Sequence, residues 1–266
     1  IWTDNQTPTV DNDGKAFISY DSVFNMAQTI YKQSDEELIV DGSLNLSSDT
    51  FEDVWKYCFE PAVKGYVATY DGYGSDLIKT GNVVASIGST AGVLFYSDIV
   101  TYEDNMTEPA EFLILPYPVI DGGKKVAIQR GGGMCIISSD ETKEYASGIF
   151  LKWFTAPEQN LKFVSSTGYI PVTEKAVEMT DDNGDDIEDK IRKLQKTTKE
   201  MAEQYIFFYP PVIENFNELQ ESYDKNMKDY SIQCRNEYLN LLKNMNEADA
   251  FNAATNDKFE QFIRQR

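Results

Sequence analysis

The chain has 266 residues, 41% of them hydrophobic, with 24 Lys plus Arg against 44 Asp plus Glu and no histidine, for a net charge of −20. That is enough apolar material for one large domain or two small ones, while the charge would repel a nucleic-acid backbone or an anionic membrane. The missing imidazole excludes Ser-His-Asp and Cys-His catalytic units and imidazole zinc sites; a carboxylate pair could still hydrolyse a glycoside, but so many acids make any one pair uninformative.

The opening segment, Ile1 to Lys15, is polar and turn-rich, with "DNDG" at Asp11–Gly14. It lacks a charged stretch followed by an apolar one, so Ile1 is expected to mark a processing boundary beyond which a signal or anchor was removed. From Tyr20 to Lys32, Val23, Met26, Ala27 and Ile30 recur at helical spacing behind a cap at Asp21 or Ser22. A turn at Val40–Gly42 precedes a second helix over Ser48–Lys64, in which Thr50 would cap Asp53 and Phe51, Val54, Trp55, Cys58 and Phe59 share a core-facing stripe. Gly65 stands where a helix C-terminus wants a left-handed residue.

After a helical turn ending at Gly81, the β-branched run Val83–Ile87 is expected to be a strand buried on both faces. Gly88-Ser89-Thr90-Ala91-Gly92 follows at its carboxyl end, where ligands sit in open α/β sheets, and Ser89 or Thr90 can cap the next helix. Further strands are predicted at Glu111–Leu115, Val126–Ile128 and Cys135–Ile137, with "RGGGM" (Arg130–Met134) between the last two. Three glycines there mean either a bulge or a place where a partner lies against bare backbone.

Ser138 or Ser139 with Glu141 would cap a helix whose stripe is Ala146, Ile149, Phe150, Trp153 and Phe154, with Trp153 in the core. Thr155 and Glu158 of "TAPE" repeat the box for a helix burying Leu161, Phe163 and Val164 and ending at Gly168. Thr180–Lys190 is an acidic linker; it opens like a calcium loop, but Arg192 stands where the bidentate Glu belongs, so a solvated loop is expected. Helical patterns then cover Leu194–Tyr205, Val212–Tyr230, Glu237–Leu242 and Ala253–Ile263. The three cysteines, Cys58, Cys135 and Cys234, read as buried free thiols, and no run approaches the roughly 20 apolar residues of a membrane helix.

Taken in order, "GNVVASIGSTAG", "LPYP", "GGGMCIISS" and "ASGIFLKWFTAPEQNLKFVSSTGYIPVTEKA" resemble the C-terminal half of extracellular solute-binding proteins of carbohydrate importers, a group with maltose-type and glycerophosphate-binding members. The resemblance is dense from Asp71 to Val177, and "SYDSVFNMAQTIYKQ" is similar to a mid-chain helix of that family. It implies an α/β, periplasmic-binding-protein-like (type II) C-terminal lobe over 19–180, preceded by a polar lead-in over 1–18 and followed by a helical tail over 181–266. The N-terminal lobe would be missing. It also implies a monomer with no cofactor and no chemistry, an extracytoplasmic setting as a cell-surface lipoprotein or periplasmic protein, a sugar or oligosaccharide ligand, and the membrane permease of an ABC importer as partner.

Carried over residue by residue, the resemblance implies that Ser89 points into a cleft, that the Gly131 and Gly132 amides face the ligand, and that Tyr169 of the "GY-P" turn lines it. From the residues alone Tyr169 could equally cap its helix and pack on the core. Tyr73, clustered with Tyr66 and Tyr70, could reach the same cleft; Asp71 and Asp76 read as solvated or capping. Glycerophosphate-binding relatives hold phosphate with an arginine in the following helical region, and "YPPVIENFNELQ" (Tyr209–Gln220) has none, which favours a neutral sugar. A carboxylate-pair glycosidase and a surface adhesion module remain the readings from other classes.

Overall fold

The computed structural model describes residues 15–69, 72–102, 104–182 and 188–264. The polar lead-in before Lys15, Tyr70, Asp71 and the middle of the acidic linker lie outside the described residues. The architecture is mixed α/β with a high helical content.

Strand β1 (Ile18–Tyr20) runs through Ser22 into α1 (Val23–Gln33). Ser22 Oγ accepts from Asn25 N at 3.1 Å, which satisfies one of the donors that a helix start leaves open. The hairpin β2 (Ile39–Val40) and β3 (Ser43–Leu44) turns through Asp41 (φ 50°) and Gly42 (φ 76°), two successive left-handed residues.

The second helix comprises α2 (Thr50–Val54), a π-helical turn (Trp55–Phe59) and α3 (Glu60–Lys64). Pro61 explains the wide turn. It has no N–H to give the carbonyl of Tyr57 four residues back, so Glu60 N reaches Trp55 O instead, and Tyr20 Oη donates to the freed Tyr57 carbonyl at 3.2 Å. Ser48, rather than Thr50, supplies the capping oxygen, accepting from Thr50 N at 3.1 Å, while Thr50 Oγ1 donates to Glu36 at 3.0 Å. Gly65 (φ 82°) ends α3, and a methyl group there would overlap the Arg235 guanidinium.

Next come α4 (Gly74–Lys79), β4 (Ala85–Ile87), a 3₁₀ turn (Thr90–Phe95), β5 (Ile99–Thr101), β6 (Thr107–Pro109) and β7 (Val126–Ile128). Helices α5 (Glu141–Phe154), α6 (Pro157–Thr167), α7 (Glu174–Glu178) and α8 (Asp189–Gln204) lead to β8 (Ile206–Phe208), α9 (Phe216–Leu241), α10 (Glu247–Thr255) and α11 (Lys258–Arg264). Two ladders are parallel: β1 with β4, pairing Ile18 with Ala85 and Tyr20 with Ile87, and β7 with β8, pairing Val126 with Ile206 and Ile128 with Phe208.

The main core lies where α1, the Thr50–Lys64 helix, α9, α10 and α11 meet, and Phe24, Tyr31, Phe51 and Phe59 are fully buried there. Trp55 stacks on Phe59 with centroids 3.7 Å apart, so it is a core residue as the stripe predicts. Helix α9 runs unbroken for 26 residues where the pattern suggests two pieces. Between them no Gly or Pro interrupts, and Ser231, Cys234 and Arg235 are buried.

Several expectations are corrected. Glu111–Leu115 and Cys135–Ile137 join no ladder among the described residues, and Leu113 (79%) and Ile137 (82%) are largely exposed. Their apolar residues mark segments that want partner strands, and the described chain supplies none. Strand β4 is half-buried rather than covered on both faces, because it lies in a two-stranded sheet. Trp153 is 52% exposed; of the α5 stripe Phe154 packs edge-on against Phe163 of α6, while Ile149, Phe150 and Trp153 stay exposed, and Phe163 too is partly open. Asp140, not Ser138 or Ser139, caps α5, accepting from Lys143 N at 3.0 Å. Helix α6 starts on Pro157 with no side-chain cap, Thr155 Oγ1 donating back to Leu151 O instead. Cys58 and Cys234 are buried free thiols as expected, but Cys135 is exposed.

Candidate functional site at the carboxyl ends of the parallel strands

Asp21 sits where β1 gives way to α1, and Gly88 where β4 ends, so both lie at the carboxyl edge of one parallel pair. Asp21 Oδ1 accepts from Gly74 N at 3.1 Å. Packing here leaves no spare room: a methyl group at residue 74 would come within 2.6 Å of Ser86 Cβ, and one at residue 88 would overlap Asp21 Oδ2. Ser86 Oγ and the Tyr96 hydroxyl are hydrogen-bonded beneath this ledge. Burial raises the Asp21 carboxyl above its ordinary value, with the Gly74 N–H opposing, and burial likewise raises the Tyr96 phenol.

Of the candidate residues from the sequence, Tyr73 and Ser89 adjoin this ledge along the chain, at Gly74 and Gly88. Tyr73, directly before Gly74, is 73% exposed. Ser89 Oγ accepts from Ala91 N at 3.3 Å and so caps the 3₁₀ turn that follows β4. Gly168 (φ 73°) packs on that same turn, where a side chain would meet Thr90 O at 2.8 Å and Val93 Cγ1 at 2.9 Å. Only glycine allows so close an approach with that backbone. Tyr169 follows directly along the chain, 45% exposed, its ring 5.9 Å from that of Phe163 rather than sunk in the core. Asp76 lies 3.5 Å from Lys79 in a surface ion pair.

Gly131 and Gly132 are exposed, and nothing lies within 4 Å of where their side chains would be. They follow Arg130, which the structure ties into a second polar cluster. Arg130 Nη1 donates to Asn25 Oδ1 at 3.4 Å and to Gln220 Oε1 at 3.1 Å, and the guanidinium lies 5.7 Å from the centroid of the Phe216 ring. Gln220 Nε2 reaches Ser22 Oγ at 3.5 Å, and Ser22 Oγ donates to Asp224 Oδ2 at 2.9 Å. Asp224 Oδ1 accepts from Phe24 N at 2.7 Å, so a carboxylate of α9 anchors the first turn of α1. Burial raises the Asp224 carboxyl, with the bonds from Phe24 and Ser22 opposing.

Ser22 adjoins Asp21, so the two clusters are contiguous along the chain. Sequence reasoning missed Asn25, Arg130, Gln220 and Asp224, because Arg130 stands 105 residues from Asn25 and 90 from Gln220. The single available signal was an arginine immediately before three glycines. The second cluster offers planar amide and guanidinium groups, the kind of groups that bond hydroxyls.

The profile of a family described as bacterial extracellular solute-binding proteins matches residues 6–193, more than half of the chain. The chain belongs to this family. Among solved structures, the cyclic α-maltosyl-1,6-maltose binding protein of Arthrobacter globiformis is similar over 90% of this chain with a TM-score of 0.53 and 16% identity. At that identity the likeness speaks to fold, and it supports the type II arrangement of a solute-binding protein. The chain spans 57% of that protein's length. No curated protein sequence matches it. Among the described residues no helix is long and apolar enough to cross a membrane.

Proposed function

We infer that this solute-binding chain captures a carbohydrate for an ABC importer without chemically altering it. In this reading residues 19–180 form the C-terminal lobe, residues 181–266 form a helical tail, and an N-terminal lobe supplies the opposite wall of the site. Ser89, Gly131, Gly132, Tyr169 and Tyr73 contact the ligand. The lobes close on it, so that binding shifts an open-closed equilibrium, and the closed form engages the membrane permease. The protein acts outside the cytoplasm as a monomeric lipoprotein or periplasmic component.

The observation that carries this reading is the placement of Tyr169. Gly168, through a close contact only glycine allows, packs on the turn that follows the carboxyl end of a parallel strand, and the residue directly after it is the half-exposed Tyr169, whose ring lies beside Phe163. A ring so restrained loses little freedom when it meets the C–H face of a sugar, and its hydroxyl can bond a neighbouring one. A thermal-shift screen of mono- and oligosaccharides against the full polypeptide tests it, because a ligand stabilises the folded state by mass action. At least one saccharide should raise the melting temperature, and Tyr169→Ala should abolish the rise. Turnover of a chromogenic glycoside, lost on neutralising one acid, would instead establish a glycosidase.

A further inference from the structure

We propose that the chain carries a second binding site, for a neutral saccharide, in the depression between the end of α4 and the β5–β6 hairpin. Its volume is about 550 Å³, within the roughly 300–1,000 Å³ typical of small-molecule sites. Asn82, on one wall, precedes the first residue of β4, whereas Gly88 of the ledge follows the last. Helix α4 likewise begins beside Tyr73 and ends on Lys79, another wall residue. The depression and the ledge therefore lie at opposite ends of the same elements. None of Ser89, Gly131, Gly132, Tyr169 and Tyr73 lines the depression, so the inference stands apart from the reading above.

The walls hold amides and hydroxyls with hydrogen-bonding capacity to spare. Asn82 Nδ2 donates to Thr80 Oγ1 at 2.8 Å, and Thr80 passes its own proton to the carbonyls of Asp76 and Leu77, so Asn82 Oδ1 accepts from no described residue. Ser97 Oγ accepts from Ile99 N at 3.1 Å and keeps its proton for another partner. The Asn105 carboxamide and the Thr101 hydroxyl bond to no described residue. A carboxamide presents an acceptor and two donors in one plane, and a hydroxyl is both donor and acceptor, which is what adjacent sugar hydroxyls require when water is displaced. Lys79, the charged residue of the lining, is paired with Asp76 at 3.5 Å, so the depression offers an ion no unpaired charge and favours a neutral polyol.

Tyr102 and Ile99, which is 49% exposed, add the apolar surface that the C–H face of a sugar ring needs. The Tyr102 ring is fixed from three directions. Gly81 (φ 68°) lies so close that a methyl group there would meet Tyr102 Cε1 at 2.6 Å and Val100 Cγ1 at 3.2 Å. The Tyr102 hydroxyl donates to Glu108 on β6, and Lys15 Nζ lies 4.7 Å from the ring centroid. The hairpin tip is fixed as well. Tyr102 N donates to Met106 O and Asn105 N to Tyr102 O, both at 2.9 Å, and Met106 N donates to Asp104 Oδ1 at 3.0 Å. These bonds hold Asn105 in the left-handed region (φ 62°). Groups restrained in this way lose little freedom when a ligand arrives.

The test is a titration of the isotopically labelled full polypeptide with maltose and with cellobiose, which present α- and β-linked neutral rings, followed through backbone amide chemical shifts. Asn105→Gly removes the carboxamide at a backbone angle that glycine adopts freely, and Thr101→Val exchanges a hydroxyl for a methyl group in a strand, so both keep the hairpin. Tyr169→Ala is the control for the ledge. At least one disaccharide should shift the amides of Gly81, Asn82, Thr101 and Asn105 saturably, and equally in wild type and Tyr169→Ala. Asn105→Gly and Thr101→Val should each weaken that response roughly three- to tenfold, the value of one hydrogen bond. Glycerol at the same hydroxyl concentration should leave those amides unmoved. The proposal is overturned if neither sugar moves them, if glycerol moves them equally, or if both hairpin variants bind like wild type. Shifts confined to the ledge and lost in Tyr169→Ala also overturn it, and leave the carbohydrate reading standing. Shifts at the hairpin alone support the second site and count against the first.

Discussion

The contact between Asp21 and Gly88 gives a quantitative handle on the ledge beneath the site. Gly88→Ala places a methyl group where Asp21 Oδ2 now lies, and the carboxylate must swing away. Asp21 then loses the 3.1 Å bond from Gly74 N that ties α4 to the end of β1. A hydrogen bond to a charged group is worth about 1.5–3 kcal/mol, and leaving the Gly74 donor partly buried without a partner keeps the cost of Gly88→Ala near ~2 kcal/mol. Asp21→Ala loses the same bond but is relieved of a carboxylate whose ionisation burial disfavours, so its cost is nearer ~1 kcal/mol. In the double variant the new methyl group occupies the vacated carboxylate space, and the total should barely exceed that of Asp21→Ala alone. Urea unfolding of the four proteins therefore yields a coupling of about 1–2 kcal/mol. Additivity within about 0.5 kcal/mol would refute the reasoning, because it would mean that the two residues do not compete for one space.

Tyr20→Phe removes the donor that serves the Tyr57 carbonyl and should cost about 1–3 kcal/mol, or ~2–4 °C of melting temperature for each kcal/mol; in a Pro61→Ala background, where residue 61 regains an N–H, the cost should largely vanish. A native thiol titration should find Cys135 reactive while Cys58 and Cys234 stay silent until unfolding, since burial pushes those two thiols up to about 12 and about 11; modification of Cys58 without unfolding would contradict the packing. Burial raises Asp21 and Asp224 above the ordinary 3.8, so the folded chain holds those protons more tightly than the unfolded one. Their stabilising contribution is complete below about 3.8 and is lost as pH rises through the folded values. Relative to the Asp21→Asn/Asp224→Asn double variant, wild type should therefore lose stability from pH 4 towards neutrality in urea melts; a pH-independent difference, or one of opposite slope, defeats that assignment.

What the sequence could and could not disclose divides along the range of the interactions involved. Local rules hold where neighbours in the chain decide the outcome: the Ser22 cap, the Asp41-Gly42 turn, and the left-handed exits at Gly65 and Gly168 all stand where residue chemistry puts them. The π-helical turn at Trp55–Phe59 was in principle readable, since Pro61 removes the donor that the Tyr57 carbonyl would take, but its compensation by Tyr20 comes from 37 residues away. Apolar pattern, by contrast, records what a segment expects to touch, not what touches it. Glu111–Leu115, Cys135–Ile137 and the α5 stripe have the composition of covered structure, and they are open among the described residues.

In the proposed reading these uncovered apolar segments are faces that the opposite lobe covers. The candidate residues divide in the same way. Ser89 and Tyr169 were accessible from sequence because each belongs to a short motif, a small-residue turn after a strand and a glycine-tyrosine exit from a helix. Arg130, Asn25, Gln220 and Asp224 come from the end of β7, α1 and α9, and only the convergence of those elements brings a guanidinium against an amide 90 residues distant. A motif can thus be read along the chain, whereas a polar cluster drawn from three elements depends on a tertiary arrangement that no local stretch encodes.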